Sequence, residues 1–157
     1  MKKLSSISMV CVLVIISLCS ANPGQADGSD YLGELCWSLH NTQNEHGSTD
    51  DTHVIKIAVT YTGGTNFIVQ GIIELVDDNP FIFGGTARLV GNEFLMTMNG
   101  SQDHSPDPWR DTGTLHMRLD TKTWNGTFWQ NRLDYNTSTR EFDYGYASGT
   151  ATIATCP

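Results

Sequence analysis

The stretch that decides the fold is residues 80–99, which read PFIFGGTARLVGNEFLMTMN. Apolar or small residues occupy every second position on both sides of Gly91-Asn92, from Phe81 to Leu89 and from Phe94 to Met98. A period of two is typical of a strand with one buried face, and a Gly-Asn pair suits a short turn. The stretch therefore predicts an antiparallel hairpin.

Similar β-rich patterns recur along the rest of the chain, and none of the sequence after residue 26 shows a helical period. We predict eight strands: Leu32–His40, His53–Thr62, Thr65–Val76, Pro80–Val90, Glu93–Asn99, Thr112–Asp120, Thr123–Leu133 and Glu141–Cys156. This succession of strands predicts an all-β domain.

Short and longer predicted connections alternate along the chain. After the second, fourth and sixth strands they are residue pairs, namely Gly63-Gly64, Gly91-Asn92 and Thr121-Lys122. After the first, third, fifth and seventh strands they are mostly longer, namely Asn41–Thr52, Asp77–Asn79, Gly100–Asp111 and Asp134–Arg140. Alternate connections of an up-and-down sheet lie at the same end, so we expect one tight end and one loop-bearing end.

Residues 1–26 have the features of a secretory signal peptide. Lysines at positions 2 and 3 precede an apolar run over residues 7–18, which is too short to span a bilayer. We expect cleavage after Ala26, with Ala21 as the alternative, and a single secreted or periplasmic domain over residues 27–157. Cys19 follows Ile-Ser-Leu and is an alternative lipid-anchor site.

Export leaves two cysteines, Cys36 and Cys156, on the predicted first and eighth strands. A cysteine pair in an exported protein favours a disulfide, and sequential strands avoid exposed edges when the first pairs with the last. We therefore predict an eight-stranded antiparallel up-and-down β-barrel closed by a Cys36–Cys156 disulfide. A two-sheet β-sandwich and two free thiols are the alternatives.

The charge of the chain restricts its partners. Without the two lysines of the signal peptide, seven basic residues face 17 acidic ones, a net charge of −10. This balance disfavours nucleic acid, which requires basic side chains to neutralise phosphates. We expect a monomer without a membrane span.

The strand number, strand order, chain size and the Gly33-x-x-x-Trp37 segment resemble those of the calycins, which include the lipocalin, fatty-acid-binding and avidin-like barrels. The resemblance implies a barrel that binds a small molecule in its mouth. It implies no individual binding residues, because the binding sets of those barrels do not map onto this sequence position by position.

Alternation places bulky side chains on the inner face, where the candidate ligand-binding residues are Trp37, Phe83, Met96 and Met98, joined by Trp109 on a loop. On the seventh strand, Trp124 with Phe128 and Trp129 with Leu133 compete for the inner face. Six small residues share the inner face and leave either a ligand cavity or a filled, tapering interior: Gly71, Gly85, Ala87, Ala147, Gly149 and Ala151.

The loop-bearing end is acidic, since ten of the 17 acidic residues and four of the five histidines lie in or beside its connections. Two sets of side chains are candidate ligands for a divalent metal: His46 with Glu45, Asp50 or Asp51, or His104 with Asp103 and Asp107. The alternative is an ordinary solvated acidic rim, and no other cofactor is expected.

The sequence therefore favours an exported barrel that binds a small apolar or cationic ligand at its loop-bearing end. A non-enzymatic structural or interaction module of the cell envelope is the alternative. A barrel enzyme is a third hypothesis, with His116, Arg118 and Asp120 on one strand face as its candidate acid–base set.

Overall fold

A closed ring of antiparallel strands forms the described part of the chain, residues 29–74 and 79–157 of a computed structural model. These residues contain eight strands: β1 (Asp30–Asn44), β2 (Gly47–Gly63), β3 (Asn66–Ile73), β4 (Phe81–Val90), β5 (Glu93–Asp103), β6 (Trp109–Asp120), β7 (Gly126–Asn136) and β8 (Glu141–Ala154). Each strand pairs with the next, and β8 pairs with β1. The up-and-down barrel is therefore confirmed, and its closure excludes the two-sheet sandwich.

The seam between β1 and β8 carries the predicted disulfide. Cys36 lies opposite Ala154 in the β1–β8 register, and Cys156 follows two residues later. The sulfur atoms of Cys36 and Cys156 are bonded, at 2.10 Å. The first and last strands are therefore joined both by backbone hydrogen bonds and by a covalent link.

The strands reach further toward the loop-bearing end than the sequence predicts. The predicted loop Asn41–Thr52 is wrong, since β1 and β2 continue as a hairpin that turns at residues 45–46. Similarly, β5 extends to Asp103 and β6 begins at Trp109. These segments are polar on both faces because they extend beyond the core, where backbone pairing continues without an apolar pattern to mark it.

The opposite end has one longer connection than predicted, over residues 121–125. Asp120 Oδ1 accepts the backbone N–H groups of Lys122 and Thr123, each at 2.9 Å. Trp124 takes a left-handed backbone conformation with φ of 58°, and its side chain is buried. The connection therefore serves to fold Trp124 back under the barrel.

The inner faces predicted from alternation are confirmed on the described strands, where one continuous core fills the barrel. On the seventh strand, Phe128 and the preceding Trp124 point inward, whereas Trp129 and Leu133 are each 42% exposed. Edge-on ring contacts join Phe67 to Phe94 and Phe94 to Trp124, at 5.1 and 5.5 Å. These aromatic rings close the tight end of the barrel.

Two sequence predictions fall outside the described residues: the signal peptide over residues 1–26 and the alternative lipid anchor at Cys19. Residues 75–78 are also outside them. Within residues 29–74 and 79–157, no helix has the length and apolar character needed to cross a bilayer.

Candidate functional site

A cavity of about 360 Å³ opens at the loop-bearing end, in the mouth of the barrel. Its floor is formed by four apolar side chains, Leu39, Ile73, Phe81 and Phe128. Polar and charged side chains form the wall above the floor, among them Asn41, Asp51, His53, Gln102, Gln130 and Arg132. The mouth therefore offers an apolar base beneath a hydrogen-bonding rim.

Small residues on β8 leave the space for this cavity. Gly145 and Ala147 line one side of it, beside the extended β1–β2 hairpin, where Ala147 is the register partner of Asn44. Below the floor the interior is filled, since Phe81 stacks on Phe83 with ring centroids 4.5 Å apart and Phe83 is only 2% exposed. The sequence left open a ligand cavity or a filled interior, and the structure has both: the body of the barrel is filled and the mouth is hollow.

The sequence-predicted ligand residues lie elsewhere. Trp37, Phe83, Met96 and Met98 belong to the core, are at most 2% exposed, and none of them lines the mouth cavity. The Trp37 indole N–H donates to the Trp124 carbonyl at 2.8 Å. Trp109 begins β6, is half-buried, and is also absent from the cavity wall.

The predicted metal candidates are dispersed around the rim. His46 Nε2 is 3.8 Å from Glu45 Oε1, and Asp50 Oδ1 is 3.6 Å from Nε2 of His40. Asp51 Oδ2 accepts the Thr49 hydroxyl at 2.7 Å. Across the described ranges, the structure brings no three His, Cys, Asp or Glu side chains together in a group that could hold a metal ion.

His104 is paired with a carboxylate other than the two predicted for it. His104 directly follows β5, and its Nε2 lies 2.8 Å from Oδ2 of Asp111 on β6. The Asp111 side chain is only 4% exposed, and its Oδ1 has no hydrogen-bond partner. A buried carboxylate oxygen without a donor is costly, so this atom marks a place where a donor is missing.

A second buried carboxylate lies beside the first. Asp134 on β7 is the register partner of Asp111, and its side chain is 13% exposed. Arg132 Nε lies 2.8 Å from Asp134 Oδ1 and forms an ion pair with it. Arg132 is 3.9 Å from Asp111 Oδ2. Asp111 and Asp134 thus form a carboxylate pair that Arg132 compensates only in part.

The carboxylate pair is electrostatically strained. Burial raises the pKa of Asp134 to about 6, with Asp111 adding to the rise and Arg132 opposing it. Glu45 behaves differently: burial acts to raise its pKa, but the N–H groups of Glu45 and Tyr146 and the charges of His46 and Arg132 hold it below its usual range. Of these carboxyl groups Glu45 lines the mouth cavity, and perturbed carboxyl groups in a cleft are typical of functional sites.

Asp111 and Asp134 belong to the predicted acidic rim but are not among its candidate metal ligands. The alternation that predicts the core also predicts that both point inward when it is continued from Leu115 to Asp111 and from Phe128 to Asp134. The signal was the period-two pattern itself, extended past the last apolar residue.

The candidate acid–base residues on the outer wall, His116, Arg118 and Asp120, form other contacts. The His116 ring stacks on Trp129 with centroids 5.3 Å apart, and Arg118 forms an ion pair with Glu93. Hydrogen bonds from the Thr123 and Lys122 N–H groups lower the pKa of Asp120. Each of these three side chains therefore has a structural role on the surface.

Replacing Asp134 with asparagine should change how stability depends on pH. Because the pKa of Asp134 is higher in the folded chain than in the unfolded chain, its contribution to stability is complete below about pH 4 and is lost as pH rises through 6. The variant should thus gain roughly 1–2 kcal/mol over the wild type between acidic and neutral pH, after allowance for solvent screening.

Urea unfolding of both proteins across this pH range measures the gain. Asp50→Asn removes the same charge from a side chain that is 92% exposed and serves as the control. A stability difference between Asp134→Asn and wild type that stays constant with pH would contradict the assignment.

Among the described residues, the mouth cavity combines an apolar floor with polar and charged groups. No family model, no curated protein and no solved structure matches the chain.

Proposed function

We propose that the protein is an exported carrier that binds a small apolar or cationic molecule in the mouth cavity. The observation that carries this proposal is the cavity of about 360 Å³ with its apolar floor and polar wall. Small-molecule sites are typically concave, lined mainly by apolar groups, and furnished with a few polar groups that set orientation.

The architecture supports the same proposal. The aromatic rings at the tight end leave the mouth as the route into the barrel, and a closed eight-stranded barrel is compatible with a calycin-like carrier. The disulfide and the signal-like sequence at residues 1–26 both favour an oxidising compartment outside the cytoplasm.

The binding residues of this proposal differ from those expected from sequence. Leu39, Ile73, Phe81 and Phe128 take the apolar part of the ligand, since they form the cavity floor. Glu45 and Asp51 on the β1–β2 hairpin contribute negative charge to the wall. A mouth with this charge attracts cations and disfavours anions.

Filling the cavity should abolish binding. Ala147 lines the cavity, so Ala147→Trp places an indole ring inside the mouth. The neutral fluorophore N-phenyl-naphthylamine should therefore bind this variant at least about tenfold more weakly than it binds the wild type. Thr150→Trp adds the same side chain at an exposed position on the outer face of β8 and should bind like wild type. Fluorescence titration measures all three proteins.

Equal affinity in Ala147→Trp and wild type would contradict the mouth as the binding site. Wild-type protein that does not bind the fluorophore would contradict the carrier function. Circular dichroism and the melting temperature establish that each variant is folded.

An exposed apolar patch supports the second candidate, a cell-envelope interaction module. On the outer face of β7 and β8, Leu133 lies opposite Tyr144 and Tyr135 opposite Phe142, and Phe142 and Tyr144 are 67% and 57% exposed. Such a patch often marks a contact surface. If this candidate is right, the double variant Phe142→Ser/Tyr144→Ser should be lost from the cell-envelope fraction, whereas Ala147→Trp should remain in it. A double variant found in the envelope fraction to the same extent as the wild type would contradict the candidate.

A further inference from the structure

The outer surface of the barrel carries an aromatic face, made of Trp129, Leu133 and Tyr135 on β7 with Phe142 and Tyr144 on β8. The strand register places Leu133 opposite Tyr144 and Tyr135 opposite Phe142, so these side chains share one side of the sheet. Trp129 and Tyr135 are six positions apart, which makes the face roughly 20 Å long at about 3.3 Å per residue. None of the five residues lines the mouth cavity, so the aromatic face is a separate surface.

Two exposed rings of the aromatic face are held in place by ring partners. The indole of Trp129 stacks on the imidazole of His116, with centroids 5.3 Å apart and an angle of 25° between the planes. The ring of Phe142 contacts that of Tyr135, with centroids 4.7 Å apart. Side chains that are already ordered lose little conformational entropy on binding, so these rings are prepared for a partner.

The aromatic face is uncharged, although the chain has a net charge of −8. The outward positions of β7 and β8 hold only neutral side chains. The two arginines of the neighbouring β6 are already paired with carboxylates, Arg110 with Asp103 and Arg118 with Glu93. The face therefore matches an uncharged partner, whereas the acidic remainder of the protein repels anionic lipids and acidic polysaccharides.

The area of the aromatic face restricts the size of its partner. Phe142, Tyr144 and Trp129 are 67%, 57% and 42% exposed, which leaves roughly 300 Å² of aromatic surface if each side chain presents about 200 Å². A stable protein–protein interface buries about 800 Å² on each partner. The face is therefore too small to hold a second copy of the chain firmly, and it suits a narrow ligand.

We propose that the aromatic face binds a neutral polysaccharide of β-1,4-linked pyranose units, which stack on Trp129, Phe142 and Tyr144. In a pyranose with only equatorial substituents, both faces of the ring expose C–H groups, and these pack against the π faces of aromatic rings. The Asn131 amide lies between the β7 side chains of the face, and the Thr112 hydroxyl lies beside them on β6, so both can hydrogen-bond sugar hydroxyls. This inference rests on the second candidate function, the interaction module, and specifies its partner.

Three hexasaccharides separate ring stacking from chain shape and charge. Cellohexaose is neutral and β-1,4-linked, maltohexaose joins the same sugar by α-1,4 links that curl the chain, and the hexamer of β-1,4-linked glucuronate adds carboxylates. Calorimetry with wild-type protein should give cellohexaose at least about tenfold higher affinity than maltohexaose, with the glucuronate hexamer weakest. Bound cellohexaose should also protect the exposed Trp129 from quenching by acrylamide, a readout that requires no variant.

Variants distinguish aromatic stacking from general apolar contact. Phe142→Leu/Tyr144→Leu keeps apolar side chains but removes two rings, so it should bind cellohexaose at least about tenfold more weakly than the wild type does. The control Ile68→Ser/Ile82→Ser removes apolar side chains that are 47% and 59% exposed on the outer face of β3 and β4, and it should bind like the wild type.

Equal affinities for cellohexaose and maltohexaose, or an unchanged affinity for cellohexaose in the leucine variant, would overturn this inference. Wild-type protein that sediments with phosphatidylcholine vesicles but does not bind cellohexaose would assign the face to lipid instead. A dimer that Phe142→Ser/Tyr144→Ser converts to a monomer would assign the face to a second copy.

The other proposals fail by different results. If cellohexaose does not bind but Phe142→Ser/Tyr144→Ser is still lost from the envelope fraction, the interaction module stands and this inference falls. Displacement of N-phenyl-naphthylamine by cellohexaose would place the sugar in the mouth and would also overturn it. Failure of the wild type to bind N-phenyl-naphthylamine would overturn the carrier function and leave the aromatic face unaffected, because the two sites share no residue.

Discussion

Replacing Trp37 with alanine is expected to lower the free energy of unfolding by about 3–5 kcal/mol, the range for deleting a large aromatic side chain from a packed core. Trp37 has no exposed surface and lies in the centre of the core cluster. Its loss opens a cavity in the barrel and leaves the Trp124 carbonyl without its indole donor, which is 2.8 Å away. The cavity and the unpaired Trp124 carbonyl both lower the free energy of unfolding.

Trp37→Phe separates these contributions. It keeps most of the ring but removes the N–H, so it should cost about 1–3 kcal/mol, less than the alanine variant. Urea unfolding monitored by circular dichroism measures both changes. A Trp37→Ala variant within 1 kcal/mol of wild type would contradict the placement of this side chain at the centre of the core.

Removing the disulfide is the second change with a large expected effect. The link between Cys36 and Cys156 spans 120 residues, so loop-entropy arguments assign it about 5 kcal/mol, and native disulfides typically contribute roughly 2–5 kcal/mol. The double variant Cys36→Ala/Cys156→Ala should lose stability in this range but retain the barrel, because the β1–β8 ladder still joins the same strands.

The wild-type protein under reducing conditions provides a matched comparison, since it loses the link without a change of sequence. Both forms should unfold at a similarly lowered urea concentration. If neither form is less stable than the oxidised wild type by at least 1 kcal/mol, the seam is held by its backbone pairing and packing alone.

The barrel could be predicted from sequence because an apolar or small residue occupies almost every second position of its strands. In β5, Phe94, Met96 and Met98 point inward and their neighbours outward. Closure followed from the need to pair the edge strands and from the position of Cys36 and Cys156 on them. These rules act over the whole chain and do not depend on side-chain detail.

The seventh strand could not be assigned by the same rule because both of its faces are apolar. Trp129 and Leu133 are exposed on the outer wall, so the contrast between core and solvent that period-two analysis needs is missing there. Phe128 points inward and shares the core with Trp124, which has a left-handed backbone conformation and a buried side chain. That conformation has no sequence signature in a non-glycine residue.

The mouth could be predicted only in outline. Its acidity followed from composition, but the pairing of His104 with Asp111, seven residues away, depends on the β5–β6 register. Sequence proximity favoured Asp103 and Asp107 as partners of His104, and neither forms this contact. Four of the residues expected to contact the ligand, Trp37, Phe83, Met96 and Met98, fill the close-packed core instead.

The location of a bound ligand tests the central claim most directly. Methyl NMR spectra recorded during titration with phenethylamine should show perturbations at Leu39, Ile73 and Ala147, which border the mouth cavity, and none at Leu119, which is buried beside the tight end. Perturbations confined to outer-wall methyl groups such as those of Ile68 and Ile82, with the mouth residues unchanged, would contradict a carrier whose site is the barrel mouth.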